Sequence, residues 1–163
     1  MNFEDITCIG DLETVSKESA WQNFERLAGF IFEKHDFTVK VNAVKTLHKS
    51  RRQYDVIARK NGQTFLVECK KWAGHRYRLS ALKRAIEQHK ERTAFYRDVT
   101  NEDAIPVIVT LIEEEILVHE GVPIVPVSKL DGFIRELDNH LNDGVYSIFE
   151  EEMLSENDRE DGE

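Results

Sequence analysis

The chain has 163 residues, enough for one domain, and its 40% hydrophobic and 33% charged composition excludes a collagenous, disulfide-rich or globally disordered protein. At this size folding buries roughly 68–70% of the unfolded surface, so no disulfide or metal staple is needed. The net charge of −9 taken alone argues against a nucleic-acid partner, and the longest nearly apolar run, Ile105 to Ile112, is far short of the ~18 residues of a membrane span.

The opening residues carry Glu4, Asp5 and Asp11 with no basic region ahead of an apolar block, so no signal peptide is expected. A helix is expected from Ser16 to His35. Trp21, Phe24, Ala28 and Ile31 recur at helical spacing, and Leu27, Phe30 and Phe32 widen the stripe. Ser19 with Gln22 can form a capping box, so the helix starts at Ser16 or Ser19. From Phe37 to Leu47 apolar and polar residues alternate, as in a strand with one wet face. His48 to Arg52 reads as a basic loop, and Tyr54 to Arg59 as a second strand. Asn61–Gly62 is a two-residue hairpin turn, since both positions favour positive φ. Gln63 to Lys70 is a third strand, apolar enough to be central. Trp72 to Arg78 reads as a basic loop with aromatics. Ser80 can cap a helix running to Arg97, with Leu82, Ala85, Ile86, His89 and Phe95 near its apolar side.

Ala104 to Ile112 is a β-branched run, hence a buried strand, ended by Glu113, Glu114 and Glu115. Ile116 to Val118 reads as a short extra strand or as an apolar contact for a second copy, a homodimer. Val122 to Val127 is the last full strand, and Pro123 and Pro126 argue for an edge position. Ser128 to Leu141 is a final helix. The result is an α/β domain with a mixed central sheet and flanking helices, in the order αβββαββα. It occupies residues 1–145, with its core at 16–141. Residues 146–163 form an acidic tail whose composition predicts disorder. Cys8 and Cys69 have no CxxC or zinc spacing, which fits two reduced thiols in a cytoplasmic protein.

The charge is unevenly placed. Glu150 to Glu163 holds eight acids and one base, leaving −2 for residues 1–149. Lys34 to Arg97 holds seventeen Lys or Arg against five acids, a local charge of +12. Phosphate binding responds to local charge, so this stretch points back to nucleic acid.

Within it, Asp55 and Glu68 flank the Asn61–Gly62 turn symmetrically and can meet across the ladder. Glu68 and Lys70 share a strand face, while Cys69 points to the other with Val67 and Phe65. Carboxylates on an otherwise apolar sheet need a partner. Two readings follow: a salt bridge to Lys70, or a site for a hard divalent cation such as Mg²⁺. In the second, the metal stabilises a phosphoryl transition state and acidifies a water, and Lys70 orients or deprotonates that water.

Asp55, then Glu68–Cys69–Lys70, after a helix with Glu25 and before a helix with Gln88, resembles the PD-(D/E)xK nucleases of the restriction-endonuclease-like fold. The likeness is nearest to archaeal Holliday-junction resolvases and Mrr-like type IV restriction enzymes. Tyr54 stands where the motif's name has proline. The resemblance implies a DNA endonuclease that needs Mg²⁺, with Mn²⁺ able to substitute, and no small-molecule cofactor. It implies Asp55, Glu68, Lys70 and Glu25 as catalytic residues and Asp55, Glu68 and Cys69 as the metal site. Glu25 reads equally as a surface glutamate of the first helix. DNA contacts are expected from Lys49, Arg51, Arg52, Lys71, Arg76, Arg78, Arg84 and Gln88, in the loops and helix flanking the site. Trp72 either stacks on a base or packs the helix onto the sheet. The rival to an enzyme is a catalytically silent nucleic-acid-binding module on the same fold.

Overall fold

A computed structural model describes the chain at Thr7 and over residues 23–71, 78–111 and 116–140. The expected helix start at 16–22, the loop residues 72–77 and the acidic tail lie outside the described residues. The elements are α1 (Phe24–Glu33), β1 (Thr38–Leu47), β2 (Ser50–Lys60), β3 (Gln63–Lys70), α2 (Arg78–Thr100), β4 (Ile105–Thr110), β5 (Leu117–His119), β6 (Val122–Pro126) and α3 (Val127–His140). They form a mixed α/β fold around one six-stranded sheet, ordered β1-β2-β3-β4-β6-β5. The first three strands are antiparallel neighbours. β3 and β4, then β4 and β6, run parallel, and β5 closes antiparallel on β6.

Local chemistry accounts for most of these elements. Asn61 (φ 52°) and Gly62 (φ 76°) are both left-handed, as a two-residue turn between twisted strands requires. β3 is buried from Thr64 to Cys69, consistent with its interior place. The helices divide between the sheet faces. α1 and α3 cover the side bearing Val56, Ala58, Phe65, Val67, Cys69 and Val109. α2 covers the other, against Ile57, Leu66, Ile108 and Ile124 through a stripe of Ala85, Ile86, His89, Thr93 and Tyr96.

Two expectations are corrected. β2 begins at Ser50, not Tyr54: the turn is only His48–Lys49, and Leu47 pairs with Ser50. β6 is interior despite its prolines, because β5 is a true strand and gives the order αβββαβββα. Pro126 pairs only with Thr110, at the end of its ladder, and Pro123 only with Val118, within the short three-pair ladder to β5 and just outside the ladder to β4, so each missing N–H costs little. Alternation along β2 also slips. Tyr54 and Ile57, three residues apart, pack in one cluster with Tyr96, while Val56 packs on the opposite face. The slip coincides with Asn42 on β1, which has φ 52°.

Gly29 brings α1 close to β1. A Cβ there would lie 3.0 Å from Val39 Cγ1 and 3.2 Å from Val41 Cγ2. Gly29→Val is therefore expected to destabilise the fold by about 2 kcal/mol through overpacking, despite a helix-propensity gain. An unchanged urea midpoint would show that the helix can lift off without loss.

Candidate active site

The β2–β3 register ends at Val56↔Val67, so Asp55 and Glu68, one step on, lie just beyond the paired ladder. Instead of a ladder bond, the Cys69 N–H donates to Asp55 Oδ2 at 2.8 Å. Burial, and next the charge of Glu68, push the Asp55 carboxyl up to about 6. Glu25, in the first turn of α1, adds to that rise, while the Cys69 hydrogen bond and Lys70 oppose it. Asp55 thus points away from its neighbour Tyr54, to the α1 side of the sheet, within reach of the Glu25 charge.

Glu68 is 6% exposed and sits on the α2 side. Its Oε1 lies 3.1 Å from Lys70 Nζ, as the shared face requires. Its Oε2 accepts from Arg92 of α2 at 2.8 Å. Two further bonds hold that helix in place. The Tyr54 hydroxyl donates to the Arg92 carbonyl at 2.6 Å, and burial, with the charge of Glu91 next, raises its pKa to about 12, so it stays a donor. His89 Nε2 lies 2.7 Å from the Leu66 carbonyl. A carbonyl only accepts, so Nε2 carries the proton, and burial lowers the pKa of this ring and keeps it neutral.

The Cys69 thiol packs in the core shared by α1 and α3, and burial raises its pKa well above the usual range. What reaches Asp55 from Cys69 is its main-chain N–H.

Among the described residues no three His, Cys, Asp or Glu side chains converge into a metal cluster. The residues present still fit a divalent cation. Their donors are hard carboxylate oxygens, and the half-buried Asp55 carboxyl, carried up to about 6 by burial and by the charges of Glu68 and Glu25, has an unmet demand for positive charge.

The residues expected to hold DNA are distributed differently. Lys49, Arg51, Arg84 and Gln88 are exposed, and Lys71 is half-buried. Arg52 forms bidentate bonds to Glu91 at 2.7–3.1 Å, and its guanidinium lies 4.9 Å from the Phe95 ring centre. Trp72, Arg76 and the Arg78 side chain fall outside the described residues. The α2 residue that reaches Glu68 is Arg92, one turn past Gln88. Arg92, Tyr54 and His89 were not singled out by sequence reasoning; helical spacing from Gln88 was the only available signal for Arg92.

The Mrr_cat restriction endonuclease family matches residues 16–103. An uncharacterised protein of Archaeoglobus fulgidus is 36% identical over 121 residues, covering 74% of this chain and 94% of that protein. The small subunit of a heterodimeric restriction endonuclease has a similar structure, with a TM-score of 0.56 over 90% of both chains and 13% identity, a likeness of fold alone. An XisH family protein from Nostoc punctiforme aligns over 54% of this chain and 70% of its own, with a TM-score of 0.45 and 14% identity. More than half of the chain matches the Mrr catalytic domain, and the chain therefore belongs to that restriction endonuclease family, within the PD-(D/E)xK superfamily.

Proposed function

We propose that this protein is a divalent-metal-dependent DNA endonuclease that hydrolyses phosphodiester bonds. The observation that carries the reading is the strand end where Glu68 and Lys70 meet at 3.1 Å beside a half-buried Asp55 whose carboxyl is raised to about 6. Asp55 and Glu68, with the Cys69 main chain, would hold Mg²⁺, for which Mn²⁺ can substitute. When bound, the ion supplies charge for the phosphoryl oxygens and acidifies a water. Lys70 Nζ orients the attacking water or donates to the phosphate as its charge grows. Glu25 shapes the field at Asp55. Lys49, Arg51, Arg84, Gln88 and Lys71, with Trp72, Arg76 and Arg78, position the DNA, while Arg52 stiffens the β1–β2 hairpin.

A homodimer would let two sites meet the two strands of a duplex, and the exposed Ile116 and Leu117 at the β5 edge are where we place its contact. Among the described residues no helix is long and apolar enough to cross a membrane, and the free Cys69 supports a reducing, cytoplasmic setting.

The test is cleavage of labelled four-way-junction, duplex, flap and single-stranded DNA in Mg²⁺ or Mn²⁺. Cutting is expected to stop in EDTA and to fall by at least about 10²–10³-fold in Asp55→Ala and Lys70→Ala. One observation favours a second reading. Glu68 already has two cationic partners, as in a structural ion cluster, and a silent DNA-binding module would bind these substrates and cut none.

A further inference from the structure

The β2–β3 register runs from Val56↔Val67 to Lys60↔Gln63. Ser50 to Tyr54 are therefore paired with β1 alone, by the register Leu47↔Ser50 to Ala43↔Tyr54. The distal half of the β1–β2 hairpin is a two-stranded ribbon that extends past the third strand, next to Asp55.

The two faces of this ribbon differ. The inner face rests on α2: Arg52 pairs with Glu91 and covers Phe95, Lys45 lies over Tyr96, and Tyr54 packs edge-on against Tyr96. The outer face is exposed at Val44, Thr46, Arg51 and Gln53. Val44 faces Gln53, and Thr46 faces Arg51, across the ladder. Thr38 to Tyr54 holds five Lys or Arg and no acid, and among the described residues Lys49 and Arg51 have no ion-pair partner. The outer face carries the Arg51 charge, with Lys49 at the turn beside it, and groups that discriminate base edges. Arg matches guanine O6 and N7, Gln matches adenine N6 and N7, and Val and Thr methyls meet the thymine methyl.

We propose that the outer face of the β1–β2 ribbon enters the major groove of duplex DNA and reads base edges there through Arg51 and Gln53. A two-stranded ribbon fits a groove about 12 Å wide. The inner-face contacts to α2 hold the ribbon rigid, which a reading element needs. Asp55 lies on the same side as Arg51 and Gln53, away from the face that rests on α2 and toward Glu25 of α1. Arg51 is four residues from Asp55, roughly 13 Å along the strand, or about four base pairs of duplex. The ribbon therefore reads a position close to the cut. This inference rests on the endonuclease reading above.

The test selects bound duplexes from a randomised pool. It uses the full chain in EDTA, and in parallel the Lys70→Ala chain in Mg²⁺, where cutting is suppressed. Wild type is expected to prefer particular base pairs and to shield guanine N7 from dimethyl sulfate. Arg51→Ala is expected to relax the preference at one base pair about tenfold and to expose that N7, and Gln53→Ala to relax a neighbouring pair similarly. Both side chains are exposed, and circular dichroism confirms that the variants fold. Equal loss across all sequences, with N7 open throughout, overturns the proposal and reduces the ribbon to a phosphate contact. A wild type that cuts duplex DNA without base preference overturns it while leaving the endonuclease reading intact. A wild type that neither binds nor cuts any DNA overturns both.

Discussion

Asp55→Asn is expected to raise the thermal midpoint of the metal-free protein at pH 8 while abolishing cleavage. The folded chain holds the Asp55 proton up to about pH 6, against an ordinary 3.8. The cause is burial first and the Glu68 charge second. The folded state thus binds this proton more tightly than the unfolded state does. Stability from this group is unaffected below about pH 4, falls as pH rises from 4 to 6, and stays at its reduced level above that. Asparagine removes the buried charge and keeps an oxygen for the Cys69 N–H. The gain at pH 8 is about 1–3 kcal/mol, allowing for partial solvent screening, and a few degrees in Tm. Melts in EDTA at pH 4 and pH 8 check it. The gain must appear at pH 8 and vanish at pH 4, and an equal shift at both would assign it to some cause other than the charge. Added Mn²⁺ should raise the wild-type midpoint and leave the variant where it was.

Arg92→Ala is expected to destabilise the fold by about 2–4 kcal/mol, the largest loss for a single charged residue here. The Glu68 side chain is 8% exposed, and removing the guanidinium leaves a buried carboxylate with Lys70 as its remaining counter-charge. The Tyr54 bond goes to the Arg92 main chain and survives the substitution, so the loss reports on the ion pair. Urea unfolding measures it. The double variant Arg92→Ala with Glu68→Gln should recover most of the loss, because the unpaired charge is then gone. A cost below about 0.5 kcal/mol for Arg92→Ala would place the pair with ordinary surface ion pairs.

The parts of this architecture written in local chemistry were legible. Asn61–Gly62 specified a hairpin turn, and the turn specified which residues of β2 and β3 oppose each other, so Asp55 and Glu68 could be brought together on paper. Glu68 and Lys70 were assigned one face by alternation alone. The parts set by contacts distant in sequence were not legible. Arg51 and Arg52 read as loop because charge clusters mark loops, whereas on a ribbon with one solvent face such residues sit comfortably in a strand. The slip at Asp55 coincides with Asn42 on the neighbouring strand, which no reading of β2 by itself reveals. Arg92 looks like one more solvated charge on a polar helix until the crossover lays that helix over β3. Pro123 and Pro126 argued for an edge, and only the short pairing of β5 explains why they are tolerated inside.

The closeness of Asp55 to Glu68 also bears on how the chain assembles. The two residues are thirteen positions apart and are joined by one tight turn, so little loop entropy opposes their meeting. Arg92 reaches Glu68 only after the crossover from Lys70 to Ile105 has wrapped α2 onto the sheet, a slower and longer-range event. A nascent hairpin thus brings both acids to its open end with Lys70 of the same strand as their counter-charge. Docking of α2 adds the second cation, and the same pair of acids that would serve chemistry in the finished protein helps steer its own scaffold shut.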